Sequence, residues 1–161
     1  MPQFGTLAVG QFVSDFTFDG TSPQGTSFST GTDLPIQESG TLGEKHLIVN
    51  DKGPTFTLDG GTETPALGHQ VSVSLTGTVK SVPGSLGVQL IQDGDPIPVA
   101  SAYTQPASAQ LPATVSLTYM TAVPAGGRSL LQVRLITDAG NPVADLTGLS
   151  VTITAVGSRF T

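Results

Sequence analysis

The sequence predicts an all-β fold, a jelly-roll β-sandwich preceded by an extended N-terminal arm. Three observations carry this. From Val71 onward, apolar and hydroxyl residues alternate with a period of two. Glycine and proline, 20 and 12 of the 161 residues, interrupt these runs at short intervals. No segment sustains a helical period. Many short strands with regular turns are the signature of a sandwich or jelly roll.

The arm comes first, as residues 1–40, with the sandwich over 41–161. "GTSPQGTSFSTGTDLP" is rich in Gly, Ser, Thr and Pro and reads as extended chain. The same region holds five of the seven phenylalanines: Phe4, Phe12, Phe16, Phe18 and Phe28. Aromatic rings on an acidic, weakly patterned segment suit an arm that docks on a partner. An arm folded back over its own domain is the other reading. "KHLIVNDKGPTFTLD" then predicts two strands.

The sandwich strands follow. "VSVSLTGTV" sets Val71, Val73, Leu75 and Val79 opposite Ser72, Ser74, Thr76 and Thr78. "LGVQLIQ" aligns Leu86, Val88 and Leu90; "ATVSLTYMT" aligns Val115, Leu117 and Tyr119. "LLQVRLIT" aligns Leu131, Val133 and Leu135, and "LSVTITAV" aligns Leu149, Val151 and Ile153. β-Branched residues at this period mark half-buried strands. Four second-face positions are also apolar: Ile91, Met120, Leu130 and Ile136. They are either strand ends covered by loops or a surface that packs on a neighbouring subunit.

The turn "QDGD" poses a choice. Asp93 and Asp95 have the spacing of the first two ligands of a calcium loop. However, Pro96, Ile97, Pro98, Val99 and Ala100 follow, with no further acid before Asp138. Asp-Gly between apolar strands is the strongest short hairpin signal. The expectation is a hairpin and no metal.

Little else suggests chemistry. The only histidines are His46 and His69, and no G-x-S-x-G or phosphate-binding glycine motif occurs. Zinc lacks a spaced third ligand, and the absence of cysteine excludes disulfides and thiolate sites. Paired carboxylates from distant strands stay open by counting alone, although the acids sit mostly in turns. The expectation is a protein that is not an enzyme and has no cofactor.

Charged residues make up 11% of the chain, against roughly 25% in ordinary domains. The surface is therefore neutral and hydroxyl-rich, which fits an extracellular or assembled protein. The net charge of −6 lies wholly in residues 1–70, which hold eight acids and two bases. That balance argues against nucleic acid as a partner. Residues 1–12 lack the basic and apolar parts of a signal peptide, and no run approaches the roughly 18 apolar residues of a membrane span.

The block from Gly68 to Gly157 resembles a module of tailed-bacteriophage virion proteins, jelly-roll head domains similar to the C1q/TNF-like fold. The resembling stretches are "VSVSLTGTVKSVPGSLGVQLIQDGDPIPVAS", "ATVSLTYMTAVPAGGRSLLQVRLIT" and "LSVTITAVG". The resemblance implies a homotrimer on the outer surface of a capsid, a decoration or head-fibre protein whose partners are itself and the major capsid protein. The Phe-rich arm would then bind the shell, and Ile91, Met120, Leu130 and Ile136 would line the subunit interface. A receptor- or glycan-binding module of a tail fibre or baseplate is the principal rival. An Ig-like domain of a bacterial surface protein is another.

Overall fold

A computed structural model describes residues 2–14, 26–43, 47–52, 55–61, 67–79, 84–106, 111–137 and 143–160. Eleven strands are described: β1 (Pro2–Ser14), β2 (Thr26–Ser29), β3 (Gln37–Gly43), β4 (Ile48–Lys52), β5 (Thr55–Asp59), β6 (Leu67–Val79), β7 (Leu86–Gln92), β8 (Asp95–Thr104), β9 (Ala113–Val123), β10 (Arg128–Thr137) and β11 (Val143–Phe160). They form two antiparallel sheets. The first runs β3-β1-β11-β6-β9, with β2 also paired to β11. The second runs β4-β5-β10-β7-β8. From β5 onward the chain crosses between sheets at every connection except the β7–β8 hairpin, as a jelly roll does. The predicted fold class is the observed one.

The core lies between the sheets and is built by the alternation read from the sequence. Val71, Val73, Leu75, Val115, Leu117, Val151 and Ile153 point inward from the first sheet. Leu86, Val88, Leu90, Leu131, Val133 and Leu135 meet them from the second. A bulge in β11 between Leu146 and Gly148 shifts the register by one residue. Both Leu146 and Leu149 can therefore be buried although they differ in parity.

The N-terminal region departs from expectation. Strand β1 is an interior strand of the first sheet, paired with β11 on one side and β3 on the other. Phe12 is fully buried, its ring stacked on Phe56 of the second sheet at 5.5 Å and 19°. Leu34 and Ile36 are buried as well. Gly31 N and Leu34 N donate to the carbonyls of Leu135 and Val133, so this segment continues the second sheet along β10. The described parts of 1–40 are thus built into the domain, and a boundary at residue 40 would cut through β3. The physical reason is that the sandwich needs these side chains. Without β1 and residues 31–34, β11 and β10 would each lose a paired edge, and the core would lose Phe12 and Leu34.

Candidate functional site

The corner at Asp93 is a hairpin turn. Asp93 and Gly94 have φ of 52° and 86°, the two left-handed residues of a type I′ turn. Glycine adopts that φ freely, whereas aspartate needs a reason to do so. Its carboxylate supplies one: Leu130 N donates to Oδ1 at 2.9 Å and Ser129 Oγ donates to Oδ2 at 2.9 Å. Asp93 N in turn donates to Leu130 O at 2.8 Å. Asp93 is therefore a clamp between the hairpin and β10. Among the described residues, no group of three or more His, Cys, Asp or Glu side chains is placed to hold a metal.

A polar cluster continues inward from this corner. Gln92 Nε2 donates to Ser129 Oγ at 2.8 Å and to Thr121 Oγ1 at 3.2 Å. Tyr119 OH donates to Gln92 Oε1 at 3.3 Å. The cluster ties the second sheet to β9 of the first at one end of the sandwich. His69, one of the two histidines weighed for chemistry, is a buried inward-facing side chain of β6, and His46 lies outside the described residues.

The two outer faces of the sandwich differ sharply. Outside the first sheet, the strand register sets side chains in rows that cross several strands. One row is Leu42, Val9, Thr154, Gln70 and Met120. The next is Gln11, Thr152, Ser72 and Thr118, followed by Ser150, Ser74 and Ser116, then Thr76 and Thr114. Ser72, Ser74, Ser116, Thr118, Ser150 and Thr152 line a shallow depression at its centre. None of these described side chains is charged. Among the described side chains, the first charge met on this face is Asp145, beyond the last row, where Ser27 Oγ donates to it. Two exposed apolar residues, Leu42 (75%) and Met120 (59%), stand at the opposite ends of the first row.

Outside the second sheet the surface is mixed. Arg134 Nε and Asp33 Oδ1 form an ion pair at 2.8 Å, and Gln132 Nε2 also donates to Asp33. Tyr103, 60% exposed, lies across Gly87 with Ile136 on the far side. A Cβ on Gly87 would stand 2.6 Å from the Tyr103 ring, so the glycine makes room for it.

These positions separate the four residues expected at a subunit interface. Met120 is exposed on the first sheet, whereas Ile91, Leu130 and Ile136 belong to the outer face of the second. Opposite faces of one sandwich cannot form a single patch. Ile91 is also 1% exposed within its own chain, so it has no surface to offer a partner. Of the five arm phenylalanines, Phe12 is core and Phe28 is half-buried against the core from β2. Phe4 lies on β1 opposite Ser158, with its side chain outside the described set. Phe16 and Phe18 lie outside the described residues. Sequence reasoning noted the Ser/Thr faces of β6, β9 and β11 singly. It missed that register would join them, because strand order is not encoded in any one run.

No family model matches the chain, and no curated protein matches it in sequence. Its fold does have solved counterparts. It is similar to murine APRIL (TM-score 0.57, 9% identity, covering 92% of this chain and 98% of that one). It is similar to the Eiger TNF of S. frugiperda (TM-score 0.58, 11% identity, 97% and 96% covered). The globular domain of zebrafish complement 1qA also matches (TM-score 0.51, 11% identity, 91% and 94% covered). At such identities the likeness concerns the fold: a TNF/C1q-like jelly-roll sandwich.

Proposed function

We propose that this chain is a structural virion protein, a homotrimer that decorates and stabilises the outer surface of a phage capsid. The observation that carries the assembly is the uncharged face of the first sheet. Hydroxyls cost far less to desolvate than charges do, and each can donate and accept across a contact. Depletion of charge is also the compositional mark of an interface core. Met120 and Leu42 give the patch adaptable apolar flanks. The resemblance to phage head domains supports the three-fold stoichiometry and the capsid setting. A chain with 11% charged residues suits permanent assembly.

With Phe12 in the core, contact with the shell falls to apolar side chains that remain exposed, Val99 and Tyr103 on β8 and Leu111 before β9. The test is to add purified protein to undecorated capsids assembled from a phage major capsid protein of the same source. Saturable binding and a raised capsid melting temperature are expected. Failure to co-sediment with any such capsid would refute the capsid role.

One observation favours a second reading, a receptor- or glycan-binding module of a tail fibre or baseplate. Tyr103 presents an exposed ring beside a row of Gln89, Arg134 and Asp33, the mix of aromatic face and planar polar groups that a sugar ring requires. Glycan binding lost in Tyr103→Ala would support it.

A further inference from the structure

The polar cluster at the Asp93 corner has the components of an acyl transfer. Ser129 Oγ, 5% exposed, is a hydroxyl with its proton directed at a carboxylate, Asp93 Oδ2, 2.9 Å away. That carboxylate is fixed, because its other oxygen accepts from Leu130 N. A primary carboxamide, Gln92, lies against the same hydroxyl at 2.8 Å. Its carbonyl oxygen faces a donor, Tyr119 OH, at 3.3 Å. Nucleophile, base, electrophile and oxyanion donor thus converge within hydrogen-bond reach.

We infer that Ser129 and Gln92 join in an intramolecular ester that staples β10 to β7 beside the hairpin corner. Rotation about the terminal torsion of Gln92, which is broad for a carboxamide, turns the face of the carboxamide group, where its carbonyl carbon is open to attack, to Ser129 Oγ. The oxygen attacks that carbon as its proton passes to Asp93. Tyr119 steadies the oxyanion. The C–N bond then breaks, the proton held by Asp93 goes to the leaving nitrogen, and ammonia departs. One hydroxyl and one carboxamide become one ester and one ammonia, with no oxidant or further reactant. Amides are poor acyl donors, but this one is held by neighbours on two strands, β9 and β10, and needs a single turnover in the life of the molecule. Burial of Ser129 keeps water from competing for the product. Thr121 Oγ1, at 3.2 Å from Gln92 Nε2, is the less favoured nucleophile because no carboxylate accepts its proton in the described contacts.

The experiment is intact-mass spectrometry of the purified, folded full chain, sampled from fresh preparation through prolonged incubation. The expected species is lighter than the sequence by one ammonia. Protease digestion should yield a branched peptide joining Gln92 to Ser129, and hydroxylamine should cleave it. Ser129→Ala should retain the sequence mass, whereas Thr121→Ala should still lose ammonia. A wild-type mass that stays at the sequence value overturns the proposal. Loss of ammonia that persists in Ser129→Ala, or that stops only in Thr121→Ala, overturns it as well.

Discussion

Replacing Phe12 with alanine distinguishes a core strand from a docking arm. The ring is fully buried and stacks on Phe56 at 5.5 Å, so the substitution empties a ring-sized space between the two sheets. Phe-to-Ala changes in cores cost about 3–5 kcal/mol. Loss of the ring pair, worth about 1 kcal/mol, places this site toward the upper part of that range. A loss of about 4 kcal/mol is a large share of the 5–15 kcal/mol that holds a typical domain together. With a guanidinium m value of ~4 kcal/mol per M, the unfolding midpoint should fall by about 1 M. The assay is equilibrium unfolding at one fixed protein concentration, since the proposed assembly would make the midpoint concentration-dependent. Val99→Ala, at a position 83% exposed, serves as the control and should stay within about 0.5 kcal/mol of the parent. A Phe12→Ala protein as stable as that control would show that β1 is not part of the core.

Three substitutions and one addition test other parts of the fold. Asp93→Ala keeps the strained φ and leaves Leu130 N and Ser129 Oγ without their acceptor, and should cost about 2–3 kcal/mol by thermal or chemical unfolding. Adding calcium or a chelator to the parent should leave its melting temperature unchanged, whereas a metal-dependent shift would revive the ion-site reading. Gly60→Ala would put a Cβ 1.9 Å from the carbonyl oxygen of Pro124, so backbone must move. We expect loss of several kcal/mol or of folded yield, measured by circular dichroism. Arg134→Ala should cost about 1 kcal/mol, because the pair with Asp33 is partly exposed, and should raise hydrogen exchange at Gly31 and Leu34.

The sandwich from β6 onward was legible because most of its strands obey one rule. β6, β9 and β11 set a buried face of Val, Leu or Ile against an open face of Ser and Thr, and β7 and β10 keep the apolar buried face, so period two locates these five, whereas β8 lacks the alternation. The hairpin was legible for an equally local reason, since Asp-Gly suits the two left-handed positions of a type I′ turn. Strand β1 was not. Its inward positions are Ala8, Gly10 and Phe12, two of them small. Gly10 is small because Ile48 packs over it, and a Cβ there would stand 2.7 Å from Ile48 Cγ2. A bulge between Thr6 and Ala8 also breaks the period. The buried pair Leu34 and Ile36 was hidden by Pro35 and by the surrounding loop-like composition. The proposed assembly face was half legible. Its hydroxyls are visible strand by strand, but their union depends on β6 lying between β9 and β11, a long-range pairing that no local pattern specifies.

The central claim is that copies of this chain associate through the uncharged face of the first sheet. Ser74 lies in the middle of that face, between Ser150 and Ser116, and its replacement by lysine buries an unpaired charge only if the face is covered. Light scattering coupled to size exclusion should give the parent a mass three times 16.4 kDa. Ser74→Lys should give a folded monomer with the parent's circular dichroism spectrum. A monomeric parent, or a Ser74→Lys protein that stays trimeric, would contradict the account.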